Sequence, residues 1–204
     1  MCEHEVTDSI IVLFTRMIKE QFQDIKQLQV VDSIFYLALT ANFTSKEENL
    51  QRAHSHLKHL PQDCILVVPI CAHAHWFVIV FIDNQVLVMD SLSHKYERIT
   101  RDGEIDTILE YLKWNDPTRN EINYERSVLQ TPQQNNNKDC GIYLLLNVVS
   151  FLGELPKFLD NKRAFCSKDF RNWFGQKHAT EERNRMRQYI FEHPSYSVLT
   201  NVRK

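Results

Sequence analysis

The chain has 204 residues and a formal net charge of −2, and 43% of its residues are hydrophobic and 25% charged. A chain of this length can bury a sizeable core, and we expect residues 1–204 to form a single domain. The composition is that of a globular protein and excludes disorder. Because no dense run of Lys or Arg is present, the sequence predicts binding to neither nucleic acid nor an anionic membrane.

The cysteines are odd in number and scattered along the chain, which favours reduced thiols over a disulfide framework. We therefore expect a reducing, intracellular compartment. The polar and acidic residues 1–8 do not resemble a secretory signal, and no apolar run is expected to reach the length of a membrane span. The cysteines are Cys2, Cys64, Cys71, Cys140 and Cys166.

The first third of the chain has mainly helical patterns. From Thr7 onward the apolar residues recur at helical spacing, with Thr7 or Asp8 placed to cap the first turn. The apolar residues 30–39 fit a strand followed by a helix, and periodicity does not decide between the two elements. Residues 46–59 are polar with one apolar face, which is typical of a surface helix that ends before Pro61.

The middle of the chain contains runs of β-branched and aromatic residues that predict the strands of a buried sheet, with a turn at Asp83-Asn84. These runs are 64–70, 76–82 and 86–89. The later predicted elements are helices at 104–114, 139–151, 167–174 and 180–191 and a short strand at 126–130. This order indicates an α+β domain with helices packed around a central sheet.

The junction between the Asn-rich segment 133–137 and the apolar run after it carries Cys140 and Gly141. If a helix begins near Asp139, Cys140 lies in its first turn, where unpaired N–H groups and the helix dipole favour a thiolate. Gly141 has no Cβ and lets another chain approach closely. Gln134 carries an amide donor that the loop can fold beside the sulfur. On its own, Cys140 is better explained as a small buried hydrophobic residue that starts a core helix, which is the commoner fate of a lone free cysteine.

A cysteine nucleophile needs a base, and the base needs a partner that fixes its tautomer. His75 starts one predicted strand and Asp90 ends the next. If the two strands pair as a hairpin, both side chains lie near the same end of the sheet. Taken singly, they are explained as a scattered histidine and a turn aspartate. Taken with Gln134 and Cys140, His75 and Asp90 complete a set of residues that fits one catalytic mechanism.

These segments resemble a known family. The chain is similar to the ubiquitin-like protein-specific proteases, the SUMO (sentrin) protease family of papain-like cysteine peptidases. The segments that carry the resemblance are His75-Trp76, Met89-Asp90-Ser91-Leu92 and Pro132-Gln133-Gln134 through Asp139-Cys140-Gly141-Ile142-Tyr143. The Asn-rich loop, the residues after Cys140 and Trp173-Phe174 look closest to the branch that trims poly-SUMO chains.

The resemblance implies a papain-like fold, in which helices pack a mixed central sheet and the nucleophile lies at a helix N-terminus. It implies that Cys140 attacks the carbonyl of the final glycine in the C-terminal Gly-Gly of SUMO and that His75 transfers the proton. Asp90 then orients His75. Gln134 and the backbone N–H of Cys140 hold the oxyanion. No cofactor is expected.

The resemblance also implies a substrate-binding set of Trp76, Asp8 and Gly141. Trp76 covers the tunnel that admits the Gly-Gly tail, and Asp8 matches an acidic SUMO contact, although helix capping explains Asp8 equally well. Relatives carry an aromatic residue ahead of the first helix, where this chain has Glu5-Val6-Thr7. The expected partners are SUMO or SUMO-conjugated proteins. We expect a monomer in the nucleus or cytoplasm.

Two alternatives keep part of this interpretation. In the first, the substrate is another ubiquitin-like protein or a different polypeptide that ends in Gly-Gly. In the second, the chain is a catalytically weak SUMO-binding module, as the absent aromatic residue suggests. Zinc fits the ligand types, but no second ligand pair has metal-like spacing, so no metal site is predicted. The residues considered for zinc are Cys71, His73, His75, His54, His56 and His59. The alternating Arg183, Arg185 and Arg187 predict a solvated helix surface rather than a docking stripe.

Overall fold

The computed structural model describes residues 6–42, 44–57, 60–61, 63–92 and 100–193. Its helices are α1 (Asp8–Gln21), α2 (Ile34–Leu39), α3 (Lys46–His54), α4 (Asp102–Asn115), α5 (Cys140–Asp160), α6 (Lys162–Cys166) and α7 (Gln176–Glu192), with a 3₁₀ helix at Pro117–Glu121. Its strands are β1 (Leu28–Val30), β2 (Ile65–Ala72), β3 (His75–Ile82), β4 (Gln85–Met89) and β5 (Glu125–Val128).

The strands form one mixed sheet in the order β1-β2-β3-β4-β5 among the described residues. The two inner pairs, β2–β3 and β3–β4, are antiparallel, and the outer strands β1 and β5 add in parallel. The β3–β4 hairpin turns at Asp83-Asn84, where Asp83 has a φ of 53°. The predicted α+β class and this predicted turn are confirmed.

The sheet is buried on both faces, because each strand sends alternate side chains to opposite sides. On β3, Val78 and Val80 pack with α1, α5 and α7, whereas Phe77 and Ile79 pack with α2, α3 and α4. Two hydrophobic cores therefore enclose the central strands. The strand that carries His75 at its start is held between them.

Helix α5 crosses the first of these cores and begins at Cys140. Among the described residues it is the one helix that is long and apolar enough to cross a membrane, so the expectation that no apolar run reaches that length was wrong. Most of its side chains are buried against the sheet and the neighbouring helices. Its hydrophobicity is therefore explained by its position in the core.

The prediction of a helix at 167–174 was wrong. The short α6 lies before it, and the backbone N–H of Phe170 donates to the carbonyl of Gln130 at 2.8 Å. Phe170 packs between Phe165 and Trp173, with ring centroids 4.6 and 4.5 Å away. The aromatic residues of this segment recur at the spacing of a helix, but they fill the core from a segment without regular secondary structure. The helix predicted at 46–59 ends at His54, and its last two residues lie outside the described part of the chain.

Candidate active site

The loop before α5 places Cys140 at the first position of the helix. The Asn136 side chain accepts hydrogen bonds from the backbone N–H groups of Lys138 and Asp139, both at 3.0 Å, which turns the chain into the helix. Cys140 is buried, and its N–H belongs to the first turn, whose N–H groups have no intrahelical acceptor. The predicted location of this cysteine at a helix N-terminus is confirmed.

The β3–β4 hairpin brings His75 and Asp90 together. Nε2 of His75 donates to Oδ1 of Asp90 at 2.7 Å, and both side chains are buried. Cys140 shares a further hydrogen bond with His75. Because Nε2 is engaged by the carboxylate, Nδ1 is the ring nitrogen left for the thiol. The sequence-based prediction that these residues lie at one end of the sheet is confirmed.

Two opposing effects set the charge on His75. Burial of the imidazole disfavours its charged form, but the hydrogen bonds and negative charges of Asp90 and Cys140 outweigh it and raise the pKa of His75 to about 9. The site therefore favours an imidazolium at neutral pH. A protonated His75 is a competent proton donor for a leaving amine.

The carboxylate of Asp90 accepts several hydrogen bonds at once. Besides His75, Oδ1 accepts from the backbone N–H of Leu92 at 2.9 Å, and Oδ2 accepts from Nε and Nη2 of Arg101 at 3.0 and 2.6 Å. Burial opposes ionisation, but the hydrogen bonds and charge of His75, together with the Leu92 and Arg101 donors, lower the pKa of Asp90 below its usual value. Asp90 therefore stays ionised beside the imidazole.

Arg101 was not identified from the sequence, although it completes this part of the site. Its guanidinium lies 4.0 Å from the centre of the Phe77 ring, and Phe77 stacks on His75 with ring centroids 6.1 Å apart. Arg101 has a φ of 56°, a left-handed conformation that costs a residue other than glycine some backbone energy. Nothing near Arg101 in the sequence marks it, because it contacts Asp90 only through the fold.

Gln134 is buried at the far side of the cysteine loop. Its Oε1 accepts from Oγ of Ser91 at 2.7 Å, its backbone N–H donates to the Ser91 carbonyl at 3.0 Å, and its Nε2 donates to the carbonyl of Asn136 at 2.5 Å. An amide nitrogen carries two N–H groups, so one remains after the bond to Asn136. The loop from Gln134 to Asp139 is thus tied both to the end of β4 and to itself.

Asp139, immediately before the cysteine, is the centre of a second buried cluster. Its Oδ2 accepts from the side-chain amides of Asn136 and Gln176 at 2.6 and 2.7 Å, and its Oδ1 accepts from Nε of Arg183 at 2.8 Å. The prediction that Arg183 is a solvated surface residue was wrong, because its side chain is only 13% exposed. Arg185 does lie on the surface, where it pairs with Glu182.

Trp76, Gly141 and Val6 meet beside the cysteine. A Cβ on Gly141 would lie 2.8 Å from Cβ of Val6, so the close approach predicted at Gly141 is made by this chain's own N-terminal segment. The indole N–H of Trp76 donates to the Val6 carbonyl at 3.1 Å. Asp8 is exposed in the first turn of α1, and the predicted capping by a Thr7 side chain is not observed.

The histidines considered for zinc have other neighbours. His54 lies 3.2 Å from the Tyr111 hydroxyl, and His56 lies 3.2 Å from the Asp32 carboxylate. His73 belongs to the turn between β2 and β3, outside the strand that carries Cys71. His59 lies outside the described residues. Within the described part of the chain, no group of three potential metal ligands occurs.

A cavity of about 400 Å³ opens beside the histidine and the cysteine loop. Its lining includes His75, Gln134, Asn137, Arg101 and the two turn residues His73 and Ala74. Both turn residues have positive φ, at 53° and 58°, so the β2–β3 turn is sharply closed next to the site. This cavity leaves room for a bound group next to the polar side chains.

A buried cysteine at the start of a helix, hydrogen-bonded to a histidine that an aspartate holds, is the arrangement of a papain-like cysteine protease. The model of the Ulp1 protease family, C-terminal catalytic domain, matches residues 4–188. The chain belongs to the Ulp1 protease family and is therefore a cysteine protease by family. The resemblance of the sequence to this protease family and the predicted fold class are both confirmed.

The fold is shared with solved structures of low sequence identity. A de-sumoylating protease matches with 22% identity and a TM-score of 0.71 over 97% of this chain and 86% of the other. The C-terminal Ulp1 protease domain in complex with Smt3, the yeast ortholog of SUMO, matches with 20% identity and a TM-score of 0.62, covering 89% and 74%. The Xanthomonas campestris effector XopD bound to ubiquitin matches with 14% identity and a TM-score of 0.65, covering 92% of each chain. A comparison with curated protein sequences gives no match.

Proposed function

We propose that this protein cleaves the peptide or isopeptide bond after the C-terminal Gly-Gly of SUMO and so removes SUMO from target lysines. The observation that carries the proposal is the buried set of Cys140, His75 and Asp90, with its 2.7 Å bond between imidazole and carboxylate. The similarity to a de-sumoylating protease and to the Ulp1 domain bound to Smt3 supports the choice of modifier.

In the proposed reaction, the Cys140 thiolate attacks the carbonyl carbon of the final glycine, and the proton of the thiol resides on His75. His75 then donates this proton to the leaving lysine amine as the carbon–nitrogen bond breaks, which leaves a thioester. Water attacks the thioester while His75 accepts its proton, and the carboxylate and thiol are regenerated. Asp90 keeps the imidazole in one orientation throughout.

The developing oxyanion is held by the side-chain amide of Gln134 and the backbone N–H of Cys140. The position of Cys140 at a helix N-terminus and the remaining amide N–H of Gln134 support this assignment. Losing one such donor lowers kcat by about 100- to 1000-fold. We expect Gln134→Ala to show a loss of this size in a fluorogenic SUMO cleavage assay, and a loss below about threefold would contradict the role.

We propose that the Gly-Gly tail reaches Cys140 along Trp76, near Gly141 but beside Val6, which covers the Gly141 backbone, and that the exposed Asp8 contacts the modifier. Side chains on the tail are excluded because only glycine leaves room in such a channel. The chain lacks the aromatic residue that relatives carry ahead of the first helix, so Trp76 supplies the aromatic wall. We further propose one catalytic domain over residues 1–204, a monomer, and a nuclear or cytoplasmic location.

The test is a panel of modifier probes that carry a C-terminal electrophile, applied to the wild-type protein and to Cys140→Ala. We expect the SUMO probe to label the wild type and to leave the variant unlabelled. Burial raises the pKa of the Cys64 and Cys166 thiols, so both are expected to stay unlabelled at neutral pH. Labelling spread evenly over the cysteines, or native cleavage by Cys140→Ser, would contradict the proposal.

A second candidate substrate is a different ubiquitin-like modifier, because the XopD structure is bound to ubiquitin. The same panel decides between the two. Preferential labelling by a ubiquitin probe or another modifier selects the second candidate. Tight SUMO binding without cleavage over hours would instead favour a SUMO-binding module, which the buried histidine–aspartate pair argues against.

A further inference from the structure

The residue that precedes Cys140 is held from the far end of the chain. Arg183 lies in α7, 44 residues from Asp139, yet its Nε donates to Oδ1 of Asp139 at 2.8 Å, and its Nη2 donates to the same oxygen and to the Lys138 carbonyl. Gln176, at the start of α7, donates to the other carboxylate oxygen at 2.7 Å. Helix α7 therefore contacts the cysteine loop through two side chains.

From Asp139 the contacts continue to the proposed oxyanion donor. Oδ2 of Asp139 accepts from Nδ2 of Asn136 at 2.6 Å, and the Asn136 carbonyl accepts from Nε2 of Gln134 at 2.5 Å. Three hydrogen bonds, through the Asp139 carboxylate and then the side chain and carbonyl of Asn136, thus connect Arg183 to Gln134. This connection fixes both the amide of Gln134 and the start of α5, where the N–H of Cys140 lies.

We propose that Arg183 is a positioning residue, which holds the loop 134–139 through Asp139 and Asn136 so that the two oxyanion donors keep their relative placement. The inference rests on the proposed function, because it assigns Arg183 a purpose in that reaction. The physical reason is that oxyanion donors act through their pre-set geometry, and a displacement of about 1 Å can cost about 100-fold in rate.

Charge supports the same assignment. Asp139 is buried, and a buried carboxylate without a counter-charge is costly, so without Arg183 the loop would move to hydrate it. Burial opposes ionisation of Asp139, but the hydrogen bonds from Asn136, Arg183 and Gln176 and the Arg183 charge lower its pKa. The positive charge of Arg183 therefore balances a carboxylate that the loop needs as its anchor.

The test compares Arg183→Met with Arg185→Met, a matched change at a surface arginine of the same helix. We expect Arg183→Met to lower kcat for a SUMO fusion by up to about 100-fold. KM and the rate of Cys140 alkylation by iodoacetamide should each stay within about threefold, because alkylation forms no oxyanion. Arg183→Lys should recover part of kcat, since an ammonium keeps the charge but not the forked contact.

Two results would overturn the inference. A wild-type kcat in Arg183→Met would show that the loop needs no such anchor. A loss in the rate of Cys140 alkylation as large as the loss in kcat would show that the effect is on the nucleophile. If Arg183→Met does not fold, Arg183→Lys decides, because it keeps the charge beside Asp139 and loses only the two N–H contacts of fixed geometry to its Oδ1. A kcat-selective loss there supports the inference, and wild-type kcat overturns it. A wild-type protein that cleaves no modifier fusion contradicts the proposed function instead.

Discussion

The contact between Gly141 and Val6 predicts a measurable clash. An added methyl group at position 141 would lie 2.8 Å from Cβ of Val6 and 3.2 and 3.3 Å from its two Cγ atoms. The Cβ of Val6 moves only with its backbone, and the Val6 carbonyl also accepts the hydrogen bond from Trp76. Overpacking of this kind costs about 1–3 kcal/mol. The better helix propensity of alanine offsets about 1 kcal/mol at most.

We therefore expect Gly141→Ala to lower the free energy of unfolding by up to about 2 kcal/mol, measured by urea denaturation. Introducing Val6→Gly removes the clashing Cβ, so in that background Gly141→Ala should be neutral or stabilising. The difference between the two backgrounds is a coupling energy of about 1–3 kcal/mol.

The control is Val6→Ala, which keeps the Cβ at 2.8 Å and removes only the two Cγ atoms. Most of the penalty for Gly141→Ala should persist in this background. An identical effect of Gly141→Ala in the wild-type and Val6→Gly backgrounds would refute the reasoning. It would mean that the N-terminal segment moves away from Gly141 at little cost.

Two further predictions concern the histidine–aspartate pair. Arg101→Ala leaves the buried Asp90 carboxylate without its guanidinium and should cost about 3–5 kcal/mol in urea unfolding. Arg126→Ala, which breaks exposed pairs, should cost below about 1 kcal/mol, and equal losses would be inconsistent with a buried pair. The pKa of His75 is raised from 6.5 to about 9. The charged imidazolium therefore stabilises the folded protein fully below pH 6.5, and this stabilisation is lost as the pH rises through about 9. The stability difference between wild type and His75→Ala should therefore narrow over that range, and a widening would count against the pair.

The hairpin that carries His75 and Asp90 could be predicted because its information is local. Two runs of β-branched residues and a turn at Asp83-Asn84 determine the pairing, and the pairing alone brings both ends together. The start of α5 was predicted for the same reason, since a polar loop gives way abruptly to an apolar run at Cys140. Residues whose contacts lie within one supersecondary unit can be found from the sequence.

Arg101 and Arg183 could not be predicted, because each contacts its carboxylate only after distant elements pack. The sequence around Arg183 has charged residues on every side, which is typical of a solvated helix, and the pattern does not show which arginine faces the loop. The structure orients α7 through Ala179 and Met186, which are buried against α5. This orientation turns Arg183 toward Asp139 and leaves Arg185 on the surface.

The two buried arginines hold different halves of the proposed chemistry. Arg101 fixes Asp90 and, through it, the imidazole that transfers protons, whereas Arg183 fixes Asp139 and the loop that carries the oxyanion donors. Each pair joins residues that come from separate elements of the fold. A guanidinium suits both places, because its Nε and Nη2 converge on one carboxylate oxygen while other donors hold the second oxygen. A lysine would keep the charge at either place but would not present two N–H groups of fixed geometry to that oxygen, so the placement of each arginine's element against its carboxylate depends on arginine in particular.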